Sequence, residues 1–268
     1  MRDLAELFGE KCVIVTPSVY AGLVFKDGKL CYSGPTYIAI RSGKHDSSTA
    51  ESHRIDLHRF LTLSEFSDFT RYHGKVKPIL MQFVDGGGDQ RPSFGKTLQQ
   101  AIANFVGYNL DAVFVATHAP HQSASNPVSF SITWAHSVPK GFDIDMTKRL
   151  QQQLITHVFL LQVERKMAPL SKRLSGVILP YEHYGNHLDN SKRTTDKQLE
   201  LKNFGKAATV LKNLWNGMEV DGYKVIAEYI PPPGTTYDDD EEACDLGVDT
   251  DISRTNTGIA QHRAFVRA

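Results

Sequence analysis

One aspartate stands at the end of an apolar run and is followed by three glycines. The run is Ile79-Leu80-Met81-Gln82-Phe83-Val84, after which come Asp85 and Gly86-Gly87-Gly88. A short apolar run between Pro78 and glycines is typical of a strand that is buried on both faces. A buried carboxylate needs a partner charge or a metal, and ligands bind at the carboxyl edge of open α/β sheets. Asp85 is therefore the first candidate for chemistry, and the alternative interpretation is a turn-forming aspartate before glycines.

The segments before Asp85 predict two strands and a helix. Strands are expected at residues 18–25 and 36–41, and residues 26–29 (Lys-Asp-Gly-Lys) favour a hairpin turn after the first strand. Residues 49–72 present one apolar helical face, and residues 62–65 predict a break followed by a fresh N-cap. These elements lead the chain into the strand that carries Asp85.

The segments after Asp85 alternate between helix and strand. A helix is predicted from residue 91 to residue 107, with an apolar stripe that packs on the sheet, and a second buried strand at 111–116. The stripe consists of Phe94, Leu98, Ile102 and Phe105. A strand, a helix and a neighbouring strand joined this closely predict a right-handed parallel crossover. Further helical stripes occupy residues 164–179 and 196–215, and Pro169 is tolerable only near the start of the first of these.

This order of elements predicts an α/β fold, a ribonuclease-H-like mixed sheet with flanking helices that is entered after its first strand. We expect that first strand, which should carry a catalytic aspartate, to be missing. Ribonuclease-H-like nucleases and transposases hold two divalent metals with three carboxylates, and Mg²⁺ suits such oxygen ligands. Asp85 stands where the second carboxylate should, and Glu164 fits the third. The alternative for Glu164 is a first-turn helix acid favoured by the helix dipole.

Two polar residues follow the strand after Asp85. His118 and Asn126 come after that strand, so they are expected close to the place where a scissile phosphate would lie. A DNA-facing role is one interpretation of this pair, and plain hydrogen bonding within a loop is the default.

Two other motifs do not support a ligand site. The residues Gly95-Lys96-Thr97 resemble the end of a phosphate-binding loop, but six residues separate Gly88 from Gly95 where four are required. The segment His183-Tyr184-Gly185-Asn186-His187 has the spacing of helical metal ligands, yet its glycine and the preceding Pro180 indicate a loop. Turn-forming or substrate-facing roles suit these histidines better than zinc binding.

Several motifs together resemble a family of transposon-derived proteins of animals and fungi that is similar to DDE-type transposases. The likeness extends from about Ser18 to Tyr229, and it implies that Asp85 and Glu164 are the second and third members of an acidic triad. It also implies that Arg165 and Lys166, which follow Glu164 in one motif, face DNA. The motifs are residues 18–22 (SVYAG), 32–45 (YSGPTYIAIRSGKH), 84–87 (VDGG) with Asp89, 164–171 (ERKMAPLS), and 179–180 (LP) followed by His183, Gly185 and 187–189 (HLD).

The chain departs from this family at the first acidic residue. The family places that residue upstream of the SVYAG motif, where Asp3 is the only aspartate in this chain and lies in no predicted strand. The resemblance therefore implies an N-terminally truncated copy that has lost one carboxylate of the triad and with it catalysis.

A second departure is an insertion at residues 128–162. The family runs from a position near Asn126 almost directly to the motif that contains Glu164, whereas 35 residues intervene here. Val128-Ser129 can be encoded by GTAAGT, and residues 159–162 by a pyrimidine-rich run ending in CAG, as at the ends of an intron. One hypothesis is an unspliced intron, and the alternative is a true insertion at a junction where some transposases host an extra domain.

The composition restricts partners and compartment. The tail at 231–268 holds eight acids and three arginines, which leaves 27 basic and 22 acidic residues in the body. A mildly basic body permits DNA as a partner. Three widely spaced cysteines favour a reducing compartment, and the sequence predicts neither a membrane segment nor a signal peptide. We therefore expect an intracellular protein, compatible with the nucleus, that uses no small-molecule cofactor.

Together, these observations predict a ribonuclease-H-like domain at residues 1–230 and an acidic, disordered tail at residues 231–268. The predicted function is that of an inactive remnant of a transposase-like polynucleotidyl transferase, in which Mg²⁺ binds only if the site is complete. The alternative is a non-catalytic module that binds nucleic acid or protein.

Overall fold

The computed structural model of the chain describes residues 15–26, 29–31, 34–84, 89–117, 158–161, 167–175, 177, 179–191 and 193–235. Within these ranges, eight strands form one mixed sheet flanked by helices, so the expected α/β class is confirmed at this level. The strands of this sheet are β1 (Val15–Lys26), β2 (Lys29–Cys31), β3 (Thr36–Ser42), β6 (Ile79–Val84), β7 (Ala112–Thr117), β8 (Val158–Leu161), β9 (Glu219–Val220) and β10 (Tyr223–Ile230). The strands β4 (Arg71–Tyr72) and β5 (Lys75–Val76) form a separate ribbon.

Five α-helices connect or cover these strands in the described part of the chain. They are α1 (Ala50–Thr62), α2 (Ser67–Thr70), α3 (Gly95–Gly107), α4 (Met167–Leu174) and α5 (Lys197–Trp215). None of the helices in the described ranges has both the length and the apolar character that crossing a lipid bilayer requires.

The strand order across the sheet is β7-β6-β8-β1-β3-β10-β9, with β2 paired to β1. The strand β1 is antiparallel to both β3 and β8, whereas β6 is parallel to β7 and β8. The parallel pairing of β6 with β7 through α3 matches the predicted crossover. The pairing of Lys26 with Lys29 likewise confirms a hairpin between β1 and β2.

The position between β1 and β6 is filled by β8. Its four residues lie inside the segment predicted as an insertion, 128–162. The pairs Leu161 with Gly22 and Leu161 with Gln82 join it to both neighbours. Residues of the predicted insertion thus form an inner strand of the sheet.

The strand β3 is buried along its whole length because helices cover both faces of the sheet there. Alternate side chains of a strand point to opposite faces. Tyr37 and Ala39 join a cluster with Leu57 and Phe60 of α1. Ile38 and Ile40 join a second cluster, built with α4, α5 and β10. The centre of the core is therefore at β3.

Two glycines allow the start of β3 to approach β1. A Cβ on Gly34 would lie 2.4 Å from the carbonyl oxygen of Gly22, and a Cβ on Gly22 would lie 2.8 Å from the ring of Phe69. The Gly22 N–H donates to the Pro35 carbonyl at 2.8 Å. This close approach explains two glycines of the motifs noted in the sequence.

The helix α1 begins at a capping box formed by Thr49 and Ser52, with hydrogen bonds of 3.1 and 2.8 Å. It ends before Leu63, whose backbone is extended, and the chain resumes as a 3₁₀ turn at Ser64–Phe66. The predicted break near residues 62–65 is confirmed, but no side chain caps the new turn.

Two predictions about the strand that precedes Asp85 and its helix are wrong. In β6 only Leu80 is buried, and the other five residues are partly exposed. In α3 the predicted stripe is wrong for its first half, because Phe94 and Leu98 are 43% and 54% exposed, whereas Phe105 packs against the core as expected. The one fully buried residue of the helix is Asn104, which the stripe did not include.

The structure also contains a strand that the sequence analysis did not predict. The strand β10 pairs in parallel with β3 and extends the sheet beyond it. Its hairpin with β9 surrounds Asp221 and Gly222, both of which have positive φ values. An Asp-Gly pair between short strand-like runs was the signal that was available in the sequence.

Candidate functional site

The two candidate metal ligands of the sequence analysis, Asp85 and Glu164, follow two neighbouring strands of the sheet. Val84 is the last residue of β6 and immediately precedes Asp85, and Leu161 is the last residue of β8, three positions before Glu164. The two strands run parallel with Gln82 opposite Leu161. Parallel neighbours end at the same edge of a sheet, so both strands end at one edge, which we call the β6–β8 edge.

All six predicted site residues lie outside the described residues. They are Asp85, His118, Asn126, Glu164, Arg165 and Lys166. The predicted helix at 164–179 is described as Met167–Leu174, so it ends five residues earlier than expected, and Pro169 is the third residue of the described helix. The described structure therefore characterises the surroundings of the β6–β8 edge, beginning with Asp89, the first described residue after the glycines.

A histidine at the start of α1 binds Asp89. The His53 Nε2 atom lies 2.9 Å from Asp89 Oδ2 and 2.9 Å from the Ser48 hydroxyl. Burial raises the pKa of the Asp89 carboxyl, but the hydrogen bonds from His53 and Ser48 outweigh that effect and hold the pKa below its usual range. Asp89 is therefore ionised at neutral pH and ties the segment after the glycines to α1.

The same histidine connects to a buried ion pair beneath it. The Tyr20 hydroxyl lies 2.5 Å from His53 Nδ1 and donates to Asp56 at 2.9 Å. Arg41 donates to both carboxylate oxygens of Asp56, with its Nη1 at 2.8 Å from Oδ2. Burial, followed by the nearby Asp56 carboxylate, raises the pKa of Tyr20 well above its ordinary value, so the phenol stays protonated. We call this connected set, Arg41, Asp56, Tyr20, His53 and Asp89, the α1 network.

The α1 network was missed because its residues do not form a compact motif. His53 and Asp56 share the spacing of the apolar stripe that includes Leu57 and Phe60. The sequence did contain a signal for this network, because polar residues inside an apolar helical stripe are expected to be buried and to need a partner.

A small cavity lies between α1 and α3 and reaches Val84 at the end of β6. Its volume is about 60 Å³. The α1 network borders it through Tyr20, His53 and Asp89. Carboxamide side chains from β6 and α3 line much of the remaining wall, namely Gln82, Gln100 and Asn104.

A second polar cluster surrounds Glu200 near the start of α5. Its carboxylate is 3% exposed, and it accepts hydrogen bonds from Lys44 and from Thr194, the latter at 2.7 Å. His45 Nε2 lies 3.0 Å and His187 Nε2 lies 3.7 Å from its oxygens. Burial raises the pKa of the Glu200 carboxyl, but the hydrogen bonds from Lys44, Thr194 and His45 outweigh that effect and hold the pKa below its usual range. This cluster fastens the segment that contains His187 to α5.

The structure assigns His187 to packing within this cluster. It is 3% exposed and lies 3.0 Å from the Asn203 amide nitrogen. Nowhere in the described ranges do three or more histidine, cysteine, aspartate or glutamate side chains form a group that could hold a metal ion.

Comparisons with family models, with curated proteins and with solved structures find no match to this chain.

Proposed function

We propose that this chain is an inactive remnant of a DDE-type transposase domain with a ribonuclease-H-like sheet. Intact proteins of that class cut and join DNA phosphodiesters with two metal ions held by three carboxylates. The observation that carries the proposal is the position of β6 and β8. Asp85 follows one of these parallel neighbours directly and Glu164 follows the other by three residues, so both follow strands that end at the same edge.

The strand order gives further support. The resemblance assigns β1 and β3 to the second and third strands of a ribonuclease-H-like sheet, and β6 and β7 to the fourth and fifth. The first strand of such a sheet belongs between β1 and β6, antiparallel to β1 and parallel to β6. The strand β8 has this position and these directions.

The sequence of β8 supports the loss of activity. A first strand of this class carries an aspartate, whereas β8 reads Val-Phe-Leu-Leu. The strand therefore supplies backbone hydrogen bonds to its neighbours but no carboxylate for a metal. If Mg²⁺ binds, Asp85 and Glu164 would hold it, and it would supply Lewis-acid stabilisation of a phosphodiester.

A plasmid-nicking assay with Mg²⁺ tests the loss of activity. We expect the full chain and the Asp85→Ala variant to give the same background nicking. Nicking above background that Asp85→Ala abolishes would overturn the proposed inactivity while supporting the proposed site.

Metal binding tests whether Asp85 and Glu164 belong to one site. Mn²⁺ can be titrated by electron paramagnetic resonance into the full chain, Asp85→Asn and Glu164→Gln. If the full chain binds Mn²⁺ without the third carboxylate, we expect either substitution to remove the same bound ion. The matched control is Asp111→Asn, because Asp111 is an exposed aspartate that precedes β7 at the opposite edge of the sheet. Unchanged Mn²⁺ binding in both site variants would contradict a shared site.

DNA binding discriminates the alternative function. A salt-dependent affinity for DNA that survives loss of both carboxylates would favour a non-catalytic nucleic-acid-binding module over a metal-dependent remnant.

A further inference from the structure

The two edges of the sheet differ in how readily a further strand can add to them. Within the described ranges, the outermost strands are β7 at one edge and β9 at the other. The strand β9 is short and charged, because it consists of Glu219 and Val220 alone. The strand β7 has six residues, Ala-Val-Phe-Val-Ala-Thr, without a charge or a proline. Natural proteins protect edge strands by shortness, charge or proline, so β7 is the edge that is open to pairing.

An apolar side of α3 lies next to this open edge. One side of the helix, which includes Asn104, lines the cavity toward α1, and Phe105 packs against the core beneath the helix. With 3.6 residues per turn, Leu98, Ile102 and Val106 fall on the side away from α1. Leu98 and Val106 are 54% and 48% exposed, and Ile102 is partly buried. Because α1 packs over the inner strands, this apolar side of α3 points outward past β7.

The geometry of the sheet fits a second copy of the chain at this edge. Two β7 strands related by a twofold axis perpendicular to the sheet pair in antiparallel fashion, and both copies of α3 then lie on one face. Each α3 connects β6 to β7 and lies above them, so the two helices are separated by two strand spacings, about 9.6 Å. Packed helices have axes about 8–10 Å apart. Pairing of the strands therefore also brings the two helices into contact.

The exposed side chains are self-complementary under the same axis. Antiparallel helices that meet at Ile102 place Leu98 of each copy against Val106 of the other, as an isologous interface requires. Ile102 lies near the middle of α3, and Phe114 lies near the middle of β7, so one axis serves both elements. Val113 packs toward the core, so Phe114 projects from the opposite face, where it is 44% exposed and would meet its own counterpart.

We propose that two copies of this chain form a symmetric dimer through the β7 surface, which we define as β7 together with Leu98, Ile102 and Val106 of α3. Twofold dimers are the commonest closed oligomers of soluble proteins. The antiparallel arrangement directs the two β6–β8 edges to opposite ends of one continuous sheet, so each candidate site stays open. The inference goes beyond the proposed function and does not depend on it, because metal binding at Asp85 requires no residue of the β7 surface.

The first experiment measures the oligomeric state of the full chain by sedimentation velocity over a range of concentrations. We expect a concentration-dependent dimer, which Leu98→Lys should weaken at least about tenfold because the substitution puts a charge into an apolar contact. The matched control is Ile55→Lys, because Ile55 is 48% exposed on α1 and lies outside the β7 surface. A monomer at every accessible concentration would overturn the proposal, and residues outside the described ranges would then be candidates for covering β7.

The second experiment tests the strand itself. Phe114→Lys places like charges opposite each other at the axis and should also dissociate the dimer. Thermal melting at concentrations where the chain is monomeric checks that this variant folds. Dimerisation that persists in folded Phe114→Lys and in Leu98→Lys would place the contact elsewhere and contradict the β7 surface.

Cross-linking tests the position of the axis and does not require that the dimer be disrupted. Ile102→Cys should give a covalent dimer under mild oxidation, because the axis brings the two introduced thiols together. Ile55→Cys is the matched control and should give only the background of the three native cysteines. Equal cross-linking in the two variants would show that Ile102 does not lie at the axis, and the proposed arrangement would fail.

Discussion

The two halves of the sheet differ in how completely helices cover them. In the β3 half, formed by β1, β3 and β10 with α1 and α5, every residue of β3 is buried, as are eight of the nineteen residues of α5. In the β6 half, formed by β6 and β7 with α3, one residue of β6 and one of the thirteen residues of α3 are buried. Hydrophobic stabilisation scales with the area removed from water, so among the described residues the β3 half contributes more of it than the β6 half.

The well-packed residues that stabilise the fold and the residues of the candidate site therefore lie in different halves of the sheet. The β6–β8 edge, Asp89 and the cavity all belong to the less covered half, where polar side chains meet solvent. Binding segments are drawn from the less stable parts of a fold, while the well-packed part holds them in place. In this chain the α1 network joins the two, because it runs from Arg41 in β3 to Asp89 beyond β6.

The largest expected effect comes from the ion pair at the base of the α1 network. Asp56→Ala removes both hydrogen bonds between Arg41 and Asp56 and leaves the buried Arg41 with only the longer 3.4 Å contact to Asp46, so we expect a loss of about 3–5 kcal/mol in the free energy of unfolding, measured by urea denaturation. The control is Glu51→Ala, which breaks the exposed pair with Arg54 and should cost less than about 1 kcal/mol. Equal losses in the two variants would mean that the buried Arg41–Asp56 pair contributes no more to stability than the exposed Glu51–Arg54 pair.

A pair of identical substitutions on neighbouring helices tests the comparison itself. Leu57 in α1 is 1% exposed and Leu98 in α3 is 54% exposed. Leu57→Ala should lower the free energy of unfolding by about 2–5 kcal/mol, and Leu98→Ala should change it by no more than about 0.5 kcal/mol. A large loss from Leu98→Ala would mean that the β6 half also contributes to the core.

Acid should weaken the β3 half through Glu200. Because its pKa is held below the ordinary value of 4.5, the folded state favours the ionised form. The resulting stability is present above pH 4.5 and is lost as the pH falls through the folded-state pKa. Denaturation curves between pH 6 and pH 3 should therefore show a smaller acid-induced loss for Glu200→Gln than for the unmodified chain. Glu219→Gln, at an exposed position in β9, should keep the full loss.

The smallest expected effects concern the helix caps of the two halves. The Asp196 side chain caps α5 by accepting from the N–H groups of Gln198 and Leu199, both at 3.0 Å. Phe94 at the start of α3 makes no side-chain cap. Asp196→Ala should cost about 1 kcal/mol, and Phe94→Asp should gain up to about 1 kcal/mol. If Phe94→Asp destabilises the chain, the Phe94 ring contributes more packing than its exposure indicates.

Local sequence patterns predicted those strands and helices whose apolar residues recur with a clear period. The bounds of β6 were expected from its apolar run and those of α5 from its helical stripe, and the structure confirms both, with Asp196 as the N-cap of α5. The short hairpin of β9 and β10 was missed although Asp221-Gly222 marks it. The four-residue strand β8 could not be predicted, because a run of that length becomes a strand only when two neighbours supply its hydrogen bonds.

The sequence by itself determined the strands and helices whose apolar residues recur with a clear period, because that period acts over a few neighbouring residues. It also predicted the strand that directly precedes Asp85, whereas the strand β8 that precedes Glu164 emerged only in the tertiary structure. Only the tertiary structure decided that α3 turns Asn104 inward and Leu98 outward, and that Tyr20, His53 and Asp56 meet. Those outcomes depend on contacts between residues far apart in the chain, such as Tyr20 and Asp56, which no local pattern encodes.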